Sequence, residues 1–205
     1  SRRELKNLGI KTLIDLQASS EIGRQSPLQK GFNVVHIPLA TGDMEGILKG
    51  IREEKIKSDT VYRMVERMNR ILIDQYTKEY RQIFDILLDK NSYPVVIHCS
   101  SGKGRTGIVS ALVLAALGIN EDIIMEDYRL SNDYFNIPSA SKDAYQLPAR
   151  SQEAITTLFS AREDFLNAAK EEAERRYGDI DSYLQKGIGL NKDEIKRLRS
   201  ILLSD

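Results

Sequence analysis

Residues Pro94 to Ile119, PVVIHCSSGKGRTGIVSALVLAALGI, constrain the fold more than any other stretch of the chain. A compact β-branched run ends at Cys99, a glycine-rich turn follows, and an apolar segment runs from Gly107 to Ile119. The first run is hydrophobic at successive positions, so it reads as a strand covered by helices on both faces. The last segment is too short to cross a bilayer. It reads as a buried helix that begins near Arg105 and is closed by Gly118, a residue type suited to a left-handed C-terminal cap. Strand, tight turn and helix in that order dictate an α/β arrangement.

Two further runs have the same strand character: KTLIDL (Lys11 to Leu16) and NVVHIPL (Asn33 to Leu39). Val61, Met64, Val65, Met68, Ile71 and Leu72 repeat at helical spacing, and Tyr80, Ile83, Phe84 and Leu87 continue it. This predicts one long helix or two, from about Asp59 to Leu88, with Asp59 as N-cap. Asn120 is placed to cap another helix, with Glu121 and Asp122 in its first turn, where the helix dipole favours acids. From Ser131 to Ser151 the composition predicts an irregular or partly helical excursion. Phe165, Leu166, Ala169 and Ala173 form an apolar stripe ending near Gly178. Asn191 and Glu194 resemble a capping box ahead of Ile195, Leu198, Ile201 and Leu202. The expected fold is therefore α/β, a central sheet flanked by helices with a helical C-terminal extension from about residue 150. Residues 1–205 are expected to form a single domain.

Lysine plus arginine number 30, and aspartate plus glutamate also number 30. The balance lacks the basic excess of a nucleic-acid footprint, so no such partner is expected. A hydrophobic content of 41% supports a real core, and 29% charged residues support a soluble surface. The first residues are polar and carry no signal-peptide hydrophobic region, and no transmembrane segment is read. A monomer is expected. The chain has a single cysteine, Cys99, which cannot form an internal disulfide.

That cysteine stands where chemistry is expected. In HCSSGKGRTG (His98 to Gly107) the strand ends under a glycine-rich turn that opens a helix. Backbone N–H groups of the turn and of the helix start converge on one point, which makes an anion site. Arg105 offers a planar fork that fits two oxygens of a phosphate. These surroundings lower a thiol from its usual value of roughly 8.5 toward about 3.5–7.5. Thr106 can donate its hydroxyl to the sulfur. Gly102 and Gly104 are expected to let the loop turn tightly. Lys103 is expected to add a second cation at the rim, and His98 to point away and brace the loop. The Gly-Lys pair does not make a nucleotide-binding Walker loop: Gly104 follows the lysine instead of serine or threonine, and Ile97 stands where the first glycine is required. His36, in an apolar strand context, reads as a structural histidine.

HCSSGKGRTG resembles the signature of the cysteine-dependent protein tyrosine phosphatase superfamily: His-Cys, five residues, Arg, then Ser or Thr. LKNLGIKTLIDLQASSE, VVHIPL, EDYRLSN and RYGDIDSYLQKGIGL extend the resemblance to the bacterial atypical tyrosine/dual-specificity phosphatases of the mycobacterial secreted type. The resemblance implies the phosphotyrosine protein phosphatase-like fold and no metal or other cofactor. It also implies hydrolysis of phosphorylated protein or phosphoinositide through a phosphocysteine. Cys99 would attack phosphorus. Arg105 would hold the equatorial oxygens together with Ser100, Ser101, Gly102, Lys103, Gly104 and Thr106. The superfamily's proton-donating aspartate lies on a loop after the strand that here carries HIPL, which nominates Asp43, with Asp127 as the second candidate. Two positions depart from the pattern. Gly104 stands where many members of this branch carry an aspartate with an assigned catalytic role, and Gln17 stands where they usually carry arginine. The rival reading from another class is a phosphatase-like module that binds phosphorylated partners without turnover. Intact Cys99, Arg105 and Thr106 argue against it.

Overall fold

The computed structural model describes residues 2–22 and 31–203. Three short parallel strands form its sheet: β1 (Thr12–Asp15), β2 (Asn33–His36) and β3 (Val95–His98), in the order β2-β1-β3. Each falls within a run identified from sequence. The register pairs Asp15 with both His36 and His98, so the three strands end at the same level. The central strand β1 is buried at all four positions, which is why TLID needs no polar face beyond Asp15.

The helices are α1 (Arg2–Asn7), α2 (Met44–Arg52), α3 (Ser58–Gln75), α4 (Thr77–Leu87), α5 (Gly104–Leu117), α6 (Glu121–Tyr134), α7 (Ile137–Ala140), α8 (Ala149–Leu158), α9 (Glu163–Tyr177), α10 (Ile180–Ser182) and α11 (Lys192–Leu202). The fold is thus mixed α/β, a small parallel sheet within a mostly helical chain. The expected helix from Asp59 to Leu88 is two helices, broken at Tyr76, whose backbone leaves the helical region at φ −112 and ψ 24. Tyr76 also fixes the segment after β2. Its hydroxyl donates to the Ala40 carbonyl at 3.0 Å and accepts from the Ala40 N–H at 3.1 Å. Asp59 is not the N-cap of α3. Lys57 holds that position, and Asp59 lies in the first turn, paired with Arg63 at 3.2 Å. Asn120 caps α6 through Asp122 N–H, and Asn191 with Glu194 closes a full capping box at α11.

Helices α2 and α8, which build much of the second core, had no counterpart among the periodic runs of the sequence. α2 is capped by Asp43, and α8 carries Ala154, Ile155 and Leu158 inward. They build a second apolar cluster with Ile47, Ile51 and Val61, separate from the main cluster formed by the strands with α4, α5, α9 and α11. The excursion from Ser131 to Ser151 is partly helical. It holds the end of α6, then α7 and a 3-10 turn at Ala144–Gln146, and Ala144 is buried in the second cluster. α3 bridges the two cores: Val61 belongs to the second, Leu72 and Ile73 to the first. The seam between the cores opens at the C-terminal ends of the strands.

Candidate active site

In parallel α/β sheets, ligands bind beyond the carboxyl ends of the strands. Here Cys99 follows β3 directly, and the loop from Ser100 to Lys103 leads into α5. Gly102 adopts φ +67, a conformation that side-chain-bearing residues rarely take. Gly104 does not share that need: it is the first helical residue, and a Cβ there would meet nothing within 4 Å. Lys103 occupies the N-cap of α5 and makes no side-chain cap hydrogen bond. The first N–H groups of the helix are thereby left available to an anion. Gly107 is the glycine with a packing reason. A Cβ there would lie 2.7 Å from the Tyr128 ring, so its absence lets α6 close onto α5.

Cys99 is 7% exposed. Thr106 donates its hydroxyl to the sulfur at 3.2 Å. Burial pushes the thiol up. The Thr106 hydroxyl, the Thr106 and Ser101 N–H groups and the Arg105 charge together outweigh it, and the net displacement is downward, toward thiolate. Arg105 is equally enclosed, at 6% exposure. Its Nη1 donates to the Leu16 carbonyl at 3.3 Å and the Leu39 carbonyl at 3.1 Å, the chain ends leaving β1 and β2. Its Nη2 donates to the Ser100 hydroxyl at 2.8 Å. Both nitrogens also pair with Glu21, at 2.5 and 2.7 Å. Burial raises the Glu21 carboxyl, but the Arg105 hydrogen bonds and charge and the Ala18 N–H bring it below its ordinary value. Sequence reasoning gave Glu21 no role. The available signal was an acid placed just past a strand end in DLQASSE.

His98 Nδ1 lies 3.4 Å from the Cys99 carbonyl oxygen and 3.9 Å from Asp15 Oδ1. His36 Nε2 is 2.6 Å from the Gln17 carbonyl oxygen, across the β1–β2 edge.

Lys103 is not a solvated residue at the loop rim. It is 6% exposed, and its ammonium donates to Asn132 Oδ1 at 2.9 Å and to the Phe159 carbonyl, with the Phe135 ring centroid 4.9 Å away. Burial pushes its pKa down to about 8. Asn132 is itself fixed, accepting from Ala161 N–H at 2.7 Å and donating to the Ala161 carbonyl at 2.9 Å.

Cys99, Ser100, Ser101, Lys103, Gly104 and Arg105 line one cleft of about 100 Å³. Its other walls are largely apolar, with Met44, Val65, Met68, Leu72, Leu158 and Phe159 drawn from both cores. Asp43 is not among its lining residues, although its neighbour Met44 and nearby Thr41 are. The Asp43 carboxylate accepts from Gly46 N–H at 2.9 Å and serves as the cap of α2. Asp127 is exposed on α6, while its neighbour Tyr128 turns into the cleft.

A tyrosine phosphatase family profile matches residues 1–204. The chain belongs to the tyrosine phosphatase family. Among its relatives, the "Triple specificity protein phosphatase PtpB" of Mycobacterium tuberculosis is 29% identical over 245 residues, covering 98% of this chain and 85% of that protein. A Cupriavidus necator protein named "Putative tyrosine-protein phosphatase H16_A0669" is 25% identical over 198 residues, covering 94% of this phosphatase and 70% of its own length. A tyrosine-protein phosphatase of Nostoc commune is 27% identical over 129 residues, covering 59% of this phosphatase and 43% of its own length. The phosphatase is accordingly a hydrolase, in keeping with the family named from HCSSGKGRTG. No described helix is long and apolar enough to cross a membrane.

Proposed function

We propose that this phosphatase hydrolyses phosphotyrosine through a phosphocysteine formed on Cys99. The observation that carries the reading is the pairing of Cys99, held toward thiolate by Thr106, with Arg105 at the open N-terminus of α5. The thiolate attacks phosphorus from below. The amides of Ser100 to Gly104 and the Arg105 guanidinium hold the equatorial oxygens, where the transition state carries its charge. Covalent capture divides one difficult displacement into two easier ones. Glu21 acts on Arg105, not on substrate: its carboxylate fixes the fork that the phosphate must meet. The Met44, Val65, Met68 and Phe159 side chains suit an aryl ring better than a polyanionic inositol. Turnover of phosphoserine, phosphothreonine and phosphoinositide monoesters is placed below that of phosphotyrosine.

The test compares wild type with Cys99→Ser on an aryl phosphate, a phosphotyrosine peptide, a phosphoserine peptide and a panel of phosphoinositides. Wild type should be most active on the phosphotyrosine peptide, and Cys99→Ser inactive on all. Acid quenching during turnover should trap a phosphoryl group on Cys99, detected by mass spectrometry. A wild-type protein that binds the phosphotyrosine peptide but turns over nothing would instead make the chain a binding module.

A further inference from the structure

Cleavage of a phosphomonoester must return a proton to the departing ester oxygen unless that oxygen is already a stable anion. Among the described residues lining the cleft there is no aspartate or glutamate. Residues 23–30, GRQSPLQK, contain neither. The ionisable side chains that do line the cleft are Cys99, Lys103, Arg105 and Tyr128. Cys99 is the nucleophile of the reading above. Arg105 does not give up its proton in a protein. Burial pushes the Tyr128 phenol up to about 12, which makes it a weaker acid than the phenol leaving group it would have to serve.

Lys103 remains. Its side chain reaches from the phosphate loop to the α8–α9 connection, two walls of the same cleft, and places an ammonium between Asn132 and Phe159. We propose that Lys103 donates the proton to the leaving oxygen and recovers it from the water that hydrolyses the phosphocysteine. The proposal rests on the phosphatase reading of this site.

The step balances. The Cys99 sulfur–phosphorus bond forms as the phosphorus–oxygen ester bond breaks, and the electron pair stays on the ester oxygen. That oxygen takes a proton from the Lys103 ammonium and leaves as the alcohol or phenol. The resulting neutral amine accepts a proton from attacking water as the sulfur–phosphorus bond breaks. Inorganic phosphate, the thiolate and the ammonium are restored.

The acidity of the ammonium is suited to this work. An acid–base catalyst is most effective with a pKa near the working pH, and burial among apolar walls brings Lys103 down to about 8. Arg105, paired with Glu21, lines the same cleft, and burial is the cause of the downward displacement of Lys103.

The experiment measures kcat for 2,4-dinitrophenyl phosphate, whose leaving group needs no proton, and for a phosphotyrosine peptide, whose leaving group does. Wild type, Lys103→Met and Lys103→Arg are compared. Arginine keeps the charge but has no transferable proton, so it separates proton donation from simple attraction. Both variants should lose about 10²- to 10⁴-fold on the peptide. On the dinitrophenyl ester they should stay within about tenfold of wild type, which also reports that they are folded. Wild-type kcat on the peptide should fall above about pH 8, and Lys103→Arg should lack that limb. Retention of peptide turnover by Lys103→Arg overturns the proposal, as do equal losses on both substrates. A leaving-group-dependent loss in Asp43→Asn, with none in Lys103→Arg, overturns it in favour of Asp43. A wild type inactive on both substrates overturns the phosphatase reading itself.

Discussion

Lys103 shows how the protonation of one buried cation is linked to stability. Its ordinary value of 10.5 falls to about 8 in the fold, so at neutral pH the charged form is tolerated instead of favoured. Between those values the unfolded chain binds the proton more tightly than the folded one. Stability therefore rises with pH across that window, because unfolding takes up a proton. We expect wild type to gain stability relative to Lys103→Met as pH climbs from about 8 to 10.5, with little change in the difference below it. Urea melts of the two proteins at closely spaced pH values measure this directly. A flat difference would mean that the lysine is wetter than its surroundings indicate. Little of this was legible in the chain. HCSSGKGRTG identifies the thiol, the arginine and the threonine, because their spacing along strand, turn and helix fixes where they meet. The fate of the Lys103 ammonium depends on Asn132, Phe135 and Phe159, whose approach to the loop no local spacing encodes. Glu21 escaped for the same reason: it meets Arg105 across 84 residues of sequence.

At the scale of elements, the packing of α5 on α6 depends on the glycine that ends the signature. The Tyr128 ring lies where a side chain at Gly107 would project. Tyr128 is 5% exposed, and an exposed rotamer would empty the space it fills. Gly107→Ala should therefore destabilise by about 1–3 kcal/mol, the usual cost of overpacking, despite alanine's better helix propensity. Thermal unfolding checks the sign. A stabilised variant would show that α6 can shift aside without loss. The helices that sequence periodicity captured, α3, α4, α9 and α11, carry an apolar stripe, whereas α5 was legible as an apolar run after the glycine-rich turn. α2 was missed because nine residues with two glycines, MEGILKGIR, look like a turn-rich loop. Its cap, Asp43, was assigned to chemistry because the family resemblance puts a proton-donating aspartate on the loop after the HIPL strand, and a loop aspartate is equally suited to cap a helix. The three strands were readable because their runs are compact and β-branched: β1 is buried throughout, β3 is half-buried, and β2 exposes only its end residues Asn33 and His36.

For the whole molecule, the cleft is a seam between two cores, and what holds the cores together also shapes the site. Arg52 at the end of α2 donates to both Asp143 oxygens, at 2.8 and 3.0 Å, and to the Ser141 hydroxyl at 3.0 Å, tying α2 to the segment before α8. The pair is half exposed, so its thermodynamic weight is small. Its positional effect should exceed that. In Arg52→Ala, amide hydrogen exchange should accelerate at 144–147 and along α2, with the sheet unchanged. Faster exchange in β1 and β3 would mean that the cores do not open separately. The second core lay beyond sequence reading as a whole, since it joins α2, the start of α3 and α8 through residues about a hundred positions apart.

The far end of α5 carries a consequence of its own. Gly118 ends the helix in the left-handed conformation, and Arg199 of α11 donates its Nε to the Ala116 carbonyl at 3.0 Å. A cation therefore stands on the negative pole of the same helix whose positive pole opens onto the Cys99 loop. The two ends of one dipole are served by residues nearly a hundred positions apart in the chain. Helix α11 is thus the terminal contact of a line of charge that begins at that loop.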